Sequence, residues 1–446
     1  MSKKYLFLCT PNIGILDSWG PILKKLKRKG NQIDIIFPKY GVIFYQFNKN
    51  YAPCKILEEV FDQKYFKTPF GNWIKFKKIY IFENINLKFL QNKFVQKFIK
   101  LFNNKIIKSL EYIIFKTLLK DIETIDINKT IKNNFYNTLL YDVLEESKAY
   151  NNDWLKDIDF NKISYETGIN FHIFNKDLIR QDYDNKLNLN YMSNSFGLSS
   201  KKFQKINKLK ILIVSEQNKE YYKNVYNISE EDIEIIGIAK HDNNWINEIK
   251  NNSEKFKYFK NENYILIISR PAQEYFLPIK RKINAIKSIK KLADKYNFKI
   301  VVKLHPKENL NIGRKIYFDV LGKRNYQKKW LFSELNILQI AENSIFAFSF
   351  FTSTCLDLIK INTPTIEYLD IRNIPEEDNK LSLRDNKNYP VLPYRYFNLT
   401  KSANSYNELE IVTKSILKDK NKINQELLNN YKKLIPEPKE YINFIH

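Results

Sequence analysis

Four histidines are spread over 446 residues, His172, His241, His305 and His446, and one of them stands where chemistry is readily done. His305 closes the run Lys299–Leu304 (KIVVKL), whose β-branched residues predict a buried central strand. A residue at the carboxyl end of a parallel strand faces the crevice in which ligands bind. Pro306 stops the strand and holds the imidazole at its mouth, while Lys303 and Lys307 add positive charge, so the segment suits a phosphate. The alternative is a histidine satisfied within the fold. A second candidate is Ser349-Phe350-Phe351-Thr352-Ser353-Thr354, which leads into a helix beginning near Cys355. Hydroxyls beside the unpaired N–H groups of a helix start can hold an anion without glycine, or can simply cap the helix. With KLHPKE in the same domain, Thr352, Ser353 and Thr354 are expected to hold phosphate.

Three further segments carry suitable groups. Ser164-Tyr165-Glu166-Thr167-Gly168 puts a carboxylate at a turn after the predicted strand Lys162–Tyr165, where Glu166 could act as a general base or stand as an exposed turn residue. Ile236-Gly237-Ile238-Ala239-Lys240-His241-Asp242 is a strand end entering a glycine turn, which either approaches a ligand through its backbone or only turns the chain. Arg270, before Pro271 at the end of the run Tyr264–Ser269, could clamp a phosphate or a base, or lie at the surface. Asn12, Gly14, Gly237, His241 and Glu367 are the remaining residues expected to line the cleft.

The elements that must carry these groups read as an alternating α/β pattern. Tyr5–Cys9 is a strand, Thr10–Ile15 a loop containing Gly14, and Asp17-Ser18 caps a helix to Lys29 with Trp19, Ile22, Leu23 and Leu26 on one face. Gly30 ends that helix and Ile33–Phe37 is the next strand, a parallel-sheet unit without the GxGxxG dinucleotide fingerprint. After Asp184–Lys208, rich in Asn, Ser and Lys and read as a linker, strands Lys210–Val214, Ile233–Ile236, Tyr264–Ile268, Phe346–Phe350 and Pro364–Tyr368 alternate with helices at Lys219–Tyr226, Pro278–Tyr296 and Cys355–Ile359. The helical stretch Asn407–Leu434 can cross back onto the first domain. These elements predict two parallel-sheet domains facing a cleft: residues 1–200, with a helical insertion at about 85–125, and residues 210–405, followed by a helical tail at 406–446.

Composition narrows the partners. At 43% hydrophobic residues the chain can fold, and Gly 10 with Cys 3 excludes collagen-like and disulfide-scaffold classes. Cys9, Cys54 and Cys355 are widely spaced and fit a reducing compartment, and no Cys/His cluster has zinc spacing, so no metal is expected. Neither a signal peptide nor a run long enough to cross a membrane is read from the sequence. The formal net charge of +25 suits either nucleic acid or anionic membranes and substrates. No RNA-binding signature or arginine-rich segment is present, and most aromatic residues fall in apolar runs, so nucleic acid is not expected. In residues 85–125, Phe89, Phe94, Phe98 and Leu101 recur at helical spacing among Lys88, Lys93, Lys97 and Lys100, a pattern for packing on the sheet or for lying on an anionic membrane.

Taken together, the segments resemble the GT-B glycosyltransferase fold, and more narrowly bacterial surface-polysaccharide transferases that use cytidine-activated donors: sialyl-, polysialyl- and capsule Kdo transferases. In those families an HP motif and a serine/threonine motif hold the CMP phosphate, matched here by His305-Pro306 and Thr352-Ser353-Thr354. Their D/E-D/E-G acid/base motif is met only by Glu166-Thr167-Gly168, with Thr167 in place of a carboxylate. CDP-glycerol polymer transferases share the late HP and hydroxyl-rich pattern, and Gly237 to Asp242 is similar to their G-x-x-x-x-D segment. The resemblance implies an inverting, metal-independent sugar transfer from a CMP-activated donor to a capsule or other surface glycan, with no cofactor beyond that donor. Glu166 would deprotonate the acceptor, and His305, Lys303 and the Thr352–Thr354 hydroxyls would stabilise the leaving phosphate. The implied partners are a nucleotide-sugar, a glycan or lipid-linked glycan and the anionic inner face of the plasma membrane, placing the protein in the cytoplasm or peripherally on that membrane. Alternatives are glycerol- or ribitol-phosphate transfer from a CDP donor, a UDP-sugar transferase or epimerase of the same shape, and a non-catalytic membrane- or nucleic-acid-binding protein.

Overall fold

The computed structural model of the protein describes residues 2–9, 14–38, 52–67, 72–76, 78–79, 119–120, 122–142, 159–166, 208–226, 228–272, 277–305, 308, 310–373, 383–438 and 445. Its first half is built on β1 (Lys4–Leu8), β2 (Gln32–Phe37), β3 (Lys64–Lys67), β4 (Trp73–Phe76), β5 (Lys78–Ile79), β6 (Leu119–Lys120), β7 (Glu123–Ile125), β8 (Thr138–Tyr141), β9 (Asn161–Tyr165), β10 (Leu209–Ile213) and β11 (Ile233–Ile235). Among the described residues these form a nine-stranded sheet in the order β11-β10-β9-β8-β1-β2-β3-β4-β7, with β5 and β6 as a separate ribbon. The pairing is parallel from β11 to β3 and antiparallel at β3–β4 and β4–β7. Its inner strands are apolar on both faces, as a parallel sheet covered by helices on each side requires. Tyr5, Leu6, Phe7 and Leu8 are all fully buried. The helix Ile15–Arg28 covers one face, its Trp19 packing 5.6 Å from the Phe7 ring and edge-on at 5.7 Å to Tyr165.

The second half carries β12 (Tyr264–Ile268), β13 (Lys299–Lys303), β14 (Trp330–Phe332), β15 (Ala347–Ser349), β16 (Thr365–Tyr368), a ribbon of β17 (Leu383–Arg384) and β18 (Pro390–Val391), and β19 (Lys401–Ala403). The six-stranded sheet runs β14-β13-β12-β15-β16-β19 and is parallel throughout, with Leu266 of β12 beside Val301 on one side and Ala347 on the other. Two sheets covered by helices, with a tail returning to the first, make a GT-B-like two-domain architecture.

Several expectations change. The sequence placed residues from 210 onward in the second domain, yet β10 and β11 extend the first sheet, Ile211 lying beside Ser164. The second sheet begins only at Tyr264. The physical reason is the pairing itself: β10 completes the backbone bonds of β9, which otherwise ends the sheet. The predicted helical insertion ends in extended chain, since β6 and β7 occupy 119–120 and 123–125, while residues 85–118 and the linker at 184–207 lie outside the described residues. The first helix begins at Ile15, behind Gly14, with no side-chain cap; Asp17, expected to cap it, instead accepts from Trp245 Nε1 at 3.0 Å. The tail breaks at Asp419, whose carboxylate caps the second segment, Lys420–Leu434, by accepting from Lys422 N. That segment does return to the first sheet, where Ser215 Oγ donates to Leu434 O at 2.7 Å.

Candidate functional site

The order of the second sheet locates a crevice. From β12 the chain moves outward through β13 and β14, then crosses to the other side for β15 and β16. Beyond the carboxyl ends of β12 and β15 the direction of winding reverses, and open α/β sheets bind ligands at such a reversal. Three sequence candidates follow the carboxyl ends of neighbouring strands around it. Arg270 follows β12, His305 follows β13, and the Phe350–Thr354 turn follows β15, on three adjacent strands.

Arg270 spans the crevice. Its guanidinium donates to Phe351 O on the far side and lies 5.0 Å from the Phe351 ring centroid. Burial pulls the Arg270 pKa down to about 10, offset by the nearby Tyr394 and Glu367. Phe351 itself has φ +64, left-handed backbone that a bulky aromatic residue rarely adopts, so the turn stores strain at the point Arg270 grips. Thr352 N donates to Ser349 Oγ at 3.2 Å, Thr352 and Thr354 hydroxyls are 3.2 Å apart, and Thr354 N donates to Thr352 Oγ1 at 3.4 Å. Ser353, at the cap position of the helix Thr354–Lys360, makes no cap bond to its N–H groups. The hydroxyl that turns toward the helix start is therefore that of Thr352, and the bonds run within the turn.

On the other side of β12, Lys303 Nζ donates to Leu335 O at 2.6 Å and Glu334 O at 3.3 Å, and burial lowers its pKa to about 8. His305 is half-buried, its carbonyl accepting from Glu308 N at 2.9 Å. Pro306, Lys307 and Asn12 lie outside the described residues, as do Thr167 and Gly168. Glu367, on β16, is fully buried; Arg395 Nε lies 3.1 Å from its Oε1 as an ion pair, and burial raises its pKa while Arg395 and Arg270 draw it down.

Glu166 sits elsewhere, at the carboxyl end of β9 in the first sheet. It is not an exposed turn residue, being only 2% exposed. Asn218 Nδ2 lies 2.8 Å and 2.7 Å from its two oxygens. Gly14 precedes the helix at the end of β1, on the same edge of the sheet. Gly237, with φ +73, makes its close approach to the chain's own tail: an added Cβ would stand 2.3 Å from Pro436 O.

His241 belongs to a buried junction between the two halves. A carboxylate only accepts, so His241 Nε2 donates to Asp357 Oδ1 at 2.8 Å, and the Tyr431 hydroxyl donates to Nδ1 at 2.7 Å. Lys240 reaches Asp357 Oδ1 at 2.7 Å and stands 3.9 Å from Asp17 at the start of the first helix. Burial lowers the His241 pKa, partly offset by Asp357. Burial pushes Asp357 up, but Lys240 and His241 outweigh it and hold that carboxyl below its ordinary value. Asp242 caps the following helix, Asn243–Asn252, accepting from Asn244 N and Trp245 N, which accounts for the aspartate of the G-x-x-x-x-D segment.

No family model matches the chain, and no curated protein matches it in sequence. Solved structures do. A Listeria monocytogenes protein assigned as a UDP-N-acetylglucosamine 2-epimerase aligns with TM-score 0.52 at 10% identity, over 99% of this chain and 93% of that one. S. aureus MnaA, in a co-structure with UDP, gives TM-score 0.50 at 10% identity over 97% and 92%. A Rickettsia africae glycosyltransferase gives 0.46 at 12% identity over 97% and 94%. The likeness is one of fold.

Asp357, Tyr431, Lys282 and Glu308 are not singled out by the sequence, and Asp17 only as a helix cap. Two of them left a trace: Glu308 closes KLHPKE, and Lys282 falls on the apolar face of its helix with Ala285, Ile286 and Ile289. A lysine at a core position of a 3.6-residue period is a sign of burial with partners. Among the described residues no helix is long and apolar enough to cross a membrane.

Proposed function

We propose that the protein transfers a sugar from a pyrimidine-nucleotide donor, and that the donor's phosphate binds at the winding reversal of the second sheet, between Arg270, His305 and Thr352–Thr354. The supporting observation is the Arg270–Phe351 link across that crevice, where a cation is held against the strained turn that carries the hydroxyls. A guanidinium fixed across the crevice presents a planar cation with several donors, the geometry that suits an anion. Stabilising charge on a departing phosphate is the main work such a site can do. The HP and hydroxyl motifs favour a cytidine donor such as a CMP-sugar; the UDP bound to the S. aureus structure favours uridine as the second reading. A surface glycan as acceptor and an anionic membrane as the place of work belong to the same proposal, and rest on the resemblance and the +25 charge.

A thermal-shift panel of CMP, CDP, UMP, UDP and GDP tests it. A bound nucleotide at 100 times its Kd stabilises the fold by about 2.7 kcal/mol, a shift of a few degrees. Stabilisation by a cytidine or uridine nucleotide, absent in His305→Ala, is the expected result; no shift with any of the five contradicts the proposal. With the matching donor, product that forms only when an acceptor is present marks transfer, and conversion of the donor alone marks an epimerase.

A further inference from the structure

Directly beneath the proposed phosphate site lies a buried ion pair which that reading does not use. Lys282 is in the first turn of the helix Ile279–Tyr296, and its side chain is wholly buried. An ammonium has three protons, and this one has three acceptors: Arg270 O at 2.7 Å, Ser269 Oγ at 3.0 Å and Glu308 Oε1. The Ser269 hydroxyl donates in turn to Glu308 Oε2 at 2.8 Å, which closes a ring of three side chains. Glu308 is seated against the helix Leu310–Tyr317 at Gly313, where a Cβ would stand 2.9 Å from Glu308 Cγ. Backbone bonds extend the ring to both loops, Ser269 N donating to Lys303 O and Glu308 N to His305 O, each at 2.9 Å.

A buried ion pair seldom stabilises a fold beyond what an apolar pair of the same volume would contribute. Its effect here is geometric. The ring joins the residue before Arg270 to a residue three beyond His305, and fixes the Arg270 carbonyl as well. We propose that Lys282 and Glu308 are positioning residues which lock the loops after β12 and β13 in register, so that Arg270 and His305 meet an anionic group as one unit. This rests on the phosphate reading above, but the locking itself is measurable without a ligand.

Removing one partner strands the other charge, so the test replaces both, as K282M/E308L in the full chain. Hydrogen exchange is followed at the Ser269 and Glu308 amides, one for each loop, and nucleotide affinity by calorimetry with CMP and UMP. The expected result is a cooperatively unfolding protein in which both loops lose protection together, by about tenfold or more, and nucleotide Kd rises about 10²-fold. Protection retained at either loop overturns the proposal, as does loosening of both with Kd unchanged. If the double variant does not fold, S269A removes one member of the ring and gives the same reading at smaller amplitude. Failure of the parent protein to bind either nucleotide counts against the phosphate reading alone, and the exchange result then decides the locking by itself.

Discussion

Two polar regions share one short helix, and they are built in opposite ways. The helix Thr354–Lys360 begins in the crevice of the second sheet and places Asp357 in the junction between the two halves. In the junction, charges meet charges: Lys240 lies between Asp357 and Asp17, and His241 donates to Asp357. In the crevice, Arg270 bonds to a neutral oxygen, Phe351 O, with the Glu367 carboxylate near enough to raise its pKa, and on the other side of β12 Lys303 bonds to the Glu334 and Leu335 carbonyls. A cation held by a carboxylate is cancelled locally, whereas one held by carbonyls still projects its field. The junction therefore fixes how the halves meet, and the crevice is where we propose that the anionic ligand binds. Glu166, bound by the neutral amide of Asn218 inside the first sheet, lies in neither region.

The contrast breaks most visibly at Asp357. Asp357→Ala leaves Lys240 and His241 facing an uncompensated site and should cost about 3–5 kcal/mol in urea unfolding; a loss below about 1 kcal/mol would show that the junction is not structural. Next is Gly20, where a Cβ would stand 2.3 Å from the Trp245 ring in the helix that follows the junction. Gly20→Ala should destabilise by about 1–3 kcal/mol through overpacking, and an unchanged melting temperature would show that Trp245 can move aside. Glu166→Gln keeps an acceptor for Asn218, so stability should fall by only about 1 kcal/mol, with nucleotide affinity unaltered. If turnover nevertheless drops by about 10²–10⁴-fold, Glu166 is the base that the family motif implies, and the comparison must be redrawn around it.

The smallest effect is in pH. Burial holds the His241 pKa below its ordinary 6.5. The unfolded chain therefore takes up the proton first as pH falls, and stability declines below about pH 6.5. His241→Gln should flatten the melting temperature between about pH 6.5 and 5; an unchanged slope would place the acid sensitivity elsewhere.

The parts of the fold legible from sequence were those with long apolar or β-branched runs. KIVVKL and the run Tyr264–Ile268 stand out because both faces of a central strand must be apolar. The short strands Trp73–Phe76, Thr138–Tyr141 and Trp330–Phe332 do not, since four or three residues are too few to show a period. The position of β10 was misassigned because a strand's sequence says it is buried, not which neighbour completes its hydrogen bonds. At the site, Arg270, His305 and the hydroxyl turn were visible because each sits at a break in an apolar run. The Asp357 junction is not, because its members are separated by more than 400 residues of chain, from Asp17 to Tyr431; His241 reads alone as a cleft residue and Asp17 as a helix cap, and nothing in the sequence joins them to Asp357.

We propose above all that nucleotide phosphate binds in the crevice spanned by Arg270. Calorimetric titration of the wild-type chain and of Arg270→Met with the nucleotide that the panel selects tests this most directly. Loss of a charge-assisted contact predicts binding weakened roughly 10- to 100-fold in Arg270→Met, with the unfolding transition still cooperative. Equal affinity in the two proteins would place the nucleotide elsewhere and contradict the account.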